Sequence, residues 1–169
     1  MRIGLLADTH DRVPAVTELL RRMREAGVHM VLHAGDFCSP FIFRPFHEAS
    51  MPIAGVFGRN DGDHAGLRAA AASVVGAELY ESPHSLEVDG ERILVVHDLG
   101  DVPHGSITKH ALVVHGCSHR EEMKTRGDTL LVNPGEGCGW LYGAPTAAII
   151  DLQSKKVEIL KLTDPEWRS

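Results

Sequence analysis

The sequence has no uninterrupted apolar run near the roughly 18 residues that a membrane-spanning helix needs, so no membrane role is expected. Its opening segment, Met1 to Ala7, is too short for a secretory leader and runs straight into polar residues; a cytoplasmic location is the expectation. Cysteine is scarce. Cys38, Cys117 and Cys138 are an odd number without framework spacing, which argues against structural disulfides. Basic residues are not in excess: 17 Lys and Arg stand against 23 Asp and Glu, for a net charge of -6. There is therefore no strong nucleic-acid signal, although a local metal site would still allow a small phosphorylated substrate. Repeats, low-complexity tracts and linkers are also missing. The glycine-rich stretch Gly135-Glu136-Gly137-Cys138-Gly139 lacks the Gly-Lys-Ser/Thr ending of a nucleotide P-loop. What remains is an ordinary composition, 43% hydrophobic and 24% charged over 169 residues, which fits one domain spanning 1–169.

Histidine is the unusual presence, with 11 residues, several placed where apolar runs end. The patterning predicts a buried strand over Arg2–Ala7 and a helix over Val13–Ala26 with Val16, Leu19, Leu20 and Met23 on one face, closed by Gly27. Further strands are expected at Met30–His33 and Ile53–Phe57. A short helix is expected over Pro40–Ala49, and another over His64–Val75 with Asp63 as N-cap. Phe41, Phe43 and Phe46 read as core, or as a contact between copies in a homo-oligomer. In the second half, Asp89-Gly90 predicts a type I′ hairpin between Ser85–Val88 and Arg92–His97. Ala111–His115 and Leu130–Asn133 follow as strands, and Thr146–Leu152 with Lys156–Leu162 as a closing hairpin. The whole reads as one α/β domain with parallel strands feeding into antiparallel ones.

In such sheets ligands sit at the carboxyl ends of strands. Five ends deliver polar residues: Asp8 and His10; Asp36; Arg59, Asn60 and Asp61; His97 and Asp98; Cys117 and His119. Carboxylate, imidazole and amide donors together suit Mn, Fe, Zn or Ni better than Ca or Mg. In Asp8-Thr9-His10 the spacing lets both side chains point the same way from an extended segment. His33 and His115 lie inside apolar strands and read as hydrogen-bonded core residues. His29, His47, His64, His84, His104 and His110 read as surface or loop residues. Cys38 is expected to pack near Asp36 without binding metal.

The ordered blocks Asp8-x-His10, Gly35-Asp36, Gly58-x-x-Asp61, His97 and Gly116-x-x-His119 resemble those of the calcineurin-like metallophosphoesterases. The compact length and the Asn133-Pro134-Gly135 turn resemble the small phosphodiesterase branch of bacteria and archaea. The resemblance runs from residue 2 to about 162. It implies a two-layer β-sandwich flanked by helices, and hydrolysis of phosphodiesters or phosphomonoesters by attack of a metal-bound hydroxide. It further implies a first divalent transition metal on Asp8, His10, Asp36 and His119. Asp36 would bridge to a second ion, held also by an asparagine, His97 and a further histidine.

Three positions depart from that pattern. Arg59 stands where the ligand asparagine is expected, Cys117 where the first histidine of the last block is expected, and Asp98 where glycine usually follows the histidine. Three outcomes stay open. Asn60 and Cys117 complete a rewired second site, with cysteine bound as thiolate. Or Arg59 replaces the second cation and clamps a phosphate. Or the second site is lost. The expected reacting groups are Asp36, Arg59, Asp61 and His97; the expected metal ligands are Asp8, His10, Asp36, Asn60, His97, Cys117 and His119, for one or two ions. The alternative is a catalytically weak or inactive member acting as a protein-binding scaffold, as the small retromer subunit of eukaryotes does.

Overall fold

The structure is a computed structural model that describes residues 1–168; Ser169 and the side chains of His104 and Glu166 lie outside the described residues, and with them the expected surface role of His104. The first half alternates strand and helix. β1 (Arg2–Leu6), β2 (Met30–His33), β3 (Ile53–Val56) and β4 (Leu79–Tyr80) are parallel neighbours. They are joined through α1 (Val13–Glu25), α2 (Phe43–Glu48) and α3 (His64–Val75). The closing hairpin, β10 (Thr146–Asp151) and β11 (Lys156–Lys161), adds antiparallel to β1 and completes a six-stranded sheet in the order β11-β10-β1-β2-β3-β4.

The second half forms its own sheet of five strands. These are β5 (His84–Val88), β6 (Glu91–Val95), β7 (Leu112–Val114), β8 (Glu121–Arg126) and β9 (Thr129–Pro134), in the order β5-β6-β7-β9-β8. β6, β7 and β9 are parallel, with an antiparallel strand at each edge. Asp89 and Gly90 both have positive φ, 53° and 79°, as a two-residue type I′ turn requires.

Alternation along the strands assigns each side chain to a layer. Ile3 and Leu5 of β1, Leu32 of β2 and Ile150 of β10 pack against Ile93 and Val95 of β6 and Val114 of β7, and this cluster joins the two sheets. On the other face of the first sheet, Leu6 and Val31 meet Val16, Leu19, Leu20 and Met23 of α1 and Phe43 and Phe46 of α2. The outer face of the second sheet, with Leu94 and Val113, is covered by Val102 and by Ile107 of α4 (His104–Ile107). The result is the expected two-layer β-sandwich flanked by helices.

Four details differ from the sequence reading. The segment 40–49 splits into a 3-10 turn, Pro40–Ile42, and α2; Pro45 has no N–H to donate to the Phe41 carbonyl, so an unbroken α-helical ladder cannot run from Pro40. Phe41 leaves the core and is 77% exposed, while Phe43 and Phe46 are fully buried. β4 is a two-residue edge. β8, EEMKTR, was not anticipated: its two faces are almost wholly exposed, so it carries no hydrophobic alternation, and its charges suit an unpaired edge.

His33 closes β2 inside the core. Its ring stacks on Phe37 with centroids 3.9 Å apart, Nδ1 accepts the Gly35 N–H (3.1 Å), and Nε2 lies 3.0 Å from the Thr9 hydroxyl. Burial drives its pKa down from 6.5 to about 3, so the folded chain holds it neutral. Between those values the unfolded chain binds the extra proton, so this part of the stability is intact above pH 6.5 and drains away as pH falls toward 3. Urea unfolding of a His33→Asn variant should show a shallower loss of stability from pH 6.5 to 4 than the parent chain. Equal slopes would contradict this account.

Candidate metal centre

The carboxyl ends of β1, β2, β3, β6, β7 and β9 converge on one side of the sandwich, and the loops leaving them are laced by backbone hydrogen bonds. Asp8 N donates to the Gly35 carbonyl, Thr9 N and His10 N both donate to the Asp36 carbonyl, and Cys138 N donates to the Asp8 carbonyl. Such tight entries force unusual backbone. Among the described residues ten non-glycine positions have positive φ, and seven of them lie here: Asp8, His10, Asp11, Asp36, Cys38, Cys117 and His119. Concentrated strain of this kind marks a site held in place by its surroundings. Glycine meets the closest approach. A Cβ at Gly35 (φ 97°) would lie 2.7 Å from Gly58 N and 2.8 Å from His97 Nδ1, and one at Gly58 would collide with the Asp36 carboxylate.

Ligand atoms of Asp8, His10, Asp36 and His119 lie within 4.8 Å of one another. His10 Nε2 is 3.4 Å from both Asp36 Oδ2 and His119 Nε2, and His119 Nε2 is 3.7 Å from Asp8 Oδ1. Asp8 is fully buried; its Oδ2 accepts the Cys117 N–H, but its Oδ1 has no hydrogen-bond partner. An orphaned carboxylate oxygen facing imidazole nitrogens is unfavourable unless a proton or cation sits among them. Burial accordingly raises the Asp8 pKa to about 6, against the lowering effect of His119 and His97. Burial also lowers that of His10. This donor set fits a divalent cation.

Each imidazole is oriented from behind. His119 Nδ1 lies 2.9 Å from Glu136 Oε2, and His97 Nδ1 lies 2.8 Å from the Ala34 carbonyl, so both rings can keep Nε2 for the site. His10 Nδ1 lies 3.2 Å from Cys38 Sγ. Glu136 had no role in the sequence reading. It is 1% exposed and also accepts the N–H groups of Leu141 (3.0 Å) and Tyr142 (2.6 Å). Burial opposes its charge, but the hydrogen bonds from Leu141, His119 and Tyr142 prevail and hold its pKa below the usual carboxylate value. The fully buried Cys138 thiol also points at Glu136, and burial pushes it up to about 12. Glycine flanks Glu136 at a sixth strand end, and that position was the available sequence signal.

Asp36 has a second side. Its Oδ1 lies 3.5 Å from His97 Nε2 and accepts the Asn60 N–H (2.8 Å), and its Oδ2 accepts the Asn60 side-chain amide (2.7 Å). Asp61 departs from its expected part as a reacting group. Its oxygens are taken by the N–H groups of Asp36 (3.0 Å), Cys38 (2.7 Å) and Gly58 (2.7 Å), so it ties two loops together and has no free face. Arg59 is 62% exposed and pairs with Asp98. Cys117 Sγ lies 3.7 Å from that same carboxylate, and its thiol is shifted upward by burial and by Asp98. Among the described residues, no close cluster of three or more His, Cys, Asp or Glu ligand atoms includes Cys117 or His97.

Comparison with known proteins agrees with this geometry. A phosphodiesterase of Methanocaldococcus jannaschii is 29% identical over 163 residues, covering 92% of this chain and 96% of that protein. The solved structure of an archaeal phosphodiesterase superposes with a TM-score of 0.88 at 29% identity, covering 96% of this chain and all (100%) of that one. The phosphoesterase Yfce of E. coli shares the fold at a TM-score of 0.68 and 14% identity, over 96% of this chain and 100% of that one. The family model described as the calcineurin-like phosphoesterase superfamily domain matches residues 1–155. The chain belongs to the calcineurin-like phosphoesterase superfamily and is, by that membership, a metal-dependent phosphoesterase.

Proposed function

We propose that this protein hydrolyses phosphodiesters, or phosphomonoesters, at a transition metal held by Asp8, His10, Asp36 and His119. The observation that carries this reading is the buried, partnerless Asp8 Oδ1 facing His119 Nε2 inside that four-residue cluster. Mixed carboxylate and imidazole donors favour Mn, Zn, Fe or Ni. When bound, such an ion neutralises phosphoryl oxygens and acidifies water. The chain's own groups do the rest. Glu136 fixes His119, Ala34 fixes His97, and Asn60 steadies Asp36. On the second side of Asp36, Asn60 and His97 remain available, but Cys117 is turned to Asp98. There the exposed Arg59 guanidinium supplies fixed positive charge that a phosphate can share with Asp98. The three cysteines are free, which suits a cytoplasmic setting, and no helix among the described residues is long and apolar enough to cross a membrane.

Metal-loaded protein should turn over chromogenic phosphoesters and retain one tightly bound ion per chain by elemental analysis. Absence of turnover with Mn, Ni, Zn, Fe and Co alike would sink the reading. Asp36→Asn should lose more than about 100-fold in activity while melting normally, because even changes behind a ligand commonly cost 10–100-fold. Glu136→Gln should weaken metal affinity by about 10–100-fold, measured by competition with a chelator; an unchanged affinity would show that His119 needs no support. Arg59→Ala should raise KM several-fold with a smaller effect on kcat. A variant that instead gains a second tight ion and higher activity would show that Arg59 blocks a cation.

A further inference from the structure

The loop after β9 turns outward beyond Glu136 and ends in three consecutive exposed apolar residues: Trp140, Leu141 and Tyr142 are 60%, 65% and 51% exposed. Exposed side chains of this size in a row are uncommon on a surface without a use. This tip is tied to the metal centre. Glu136, which holds His119, also takes the N–H groups of Leu141 and Tyr142, so a ligand residue and the tip hang from one buried carboxylate.

Two arginines fix the rings. The Arg12 guanidinium, two residues beyond His10, lies 3.8 Å from the centroid of Trp140, and its Nη1 donates to the Cys138 carbonyl at 3.0 Å. Its position is clamped further by Trp167, with a ring centroid 4.8 Å away. The indole therefore rests on a fixed cation while more than half of its surface stays open. Arg120, the residue after His119, donates through Nε to the Tyr142 hydroxyl at 2.8 Å and lies 4.9 Å from its ring centroid. In a chain of net charge -6, two guanidiniums beside open rings make a local field suited to an anion. Rigid aromatic surface that is already ordered costs little entropy when a ligand covers it.

We infer that Trp140 and Tyr142 form a stacking platform for a planar aromatic substituent on the phosphorus of the substrate, selecting aryl- or base-bearing phosphoesters over small alkyl ones. The inference rests on the phosphoesterase reading and specifies the substrate class of the same site. The metal side takes the phosphoryl group and the tip takes the ring.

Calorimetric titration of the Mn-loaded protein with phenylphosphonate and methylphosphonate tests this, because neither P–C bond is hydrolysed. Phenylphosphonate should bind about tenfold more tightly, the scale expected for one ring stacked on an aromatic side chain. Trp140→Ala should collapse that ratio to near unity, and Trp140→Phe should keep most of it. An unchanged ratio in Trp140→Ala overturns the proposal, as does an equal weakening of both ligands. No binding of either ligand, or a dimer in sedimentation that Trp140→Ala dissociates, overturns it as well; the latter would make the rings a contact between copies. Turnover of chromogenic phosphoesters is followed in parallel. Its absence with the ratio intact tells against the hydrolase reading alone and supports the platform.

Discussion

Asp36 stands where the loops of both sheets meet, and every other part of the centre is placed with respect to it. Its carbonyl receives the N–H groups of Thr9 and His10, its own N–H goes to Asp61, and its carboxylate lies between His10 on one side and Asn60 and His97 on the other. It does this at a φ of 61°, in the left-handed region that aspartate reaches more readily than most residues but still at a cost. Ordinary packing holds it there. The inter-sheet core sets the ends of β1, β2, β6 and β7 at one level, and Gly35 and Gly58 let the loops close to contact. The chemistry of the centre is thus a consequence of two sheets meeting in register.

Much of that frame was legible in the residues. β1, α1, β2 and the hairpin around Asp89-Gly90 follow from periodicity and turn chemistry, since each buries one face or one stripe and leaves the other polar. Asp8, His10, Asp36 and His119 were visible in the residues as polar positions after three strands, and the family resemblance joined them into one set; their ligand atoms lie within 4.8 Å of one another. β8 was not legible: an exposed edge strand has no apolar face for a period to reveal, and only its pairing with β9 makes it a strand. The parts played by Asp61 and Glu136 were not legible for a related reason. Position in a motif says which loop carries a carboxylate, but not whether its oxygens face the cleft or the backbone. Asp61 spends its oxygens on three N–H groups behind Asp36. Glu136 connects His119 to Leu141 and Tyr142, and such a link across separate loops leaves no local pattern.

The departures at the second site look independent in the sequence and are one unit in space. Arg59 pairs with Asp98, and Cys117 faces the same Asp98 oxygen. The Gly100 N–H and then Arg59 hold the Asp98 pKa below the ordinary carboxylate value. Remove any one member and the others lose their reason. Without Arg59, the Asp98 carboxylate would lose the cation it pairs with. Without Asp98, Arg59 would be a free surface cation with no fixed geometry. Cys117, neutral as a thiol, adds no charge where an imidazole or thiolate ligand would have served a metal. Asn60 and His97 stay against Asp36 while Arg59, Asp98 and Cys117 satisfy one another, so a second ion that drew on Cys117 would first have to take its thiol from Asp98.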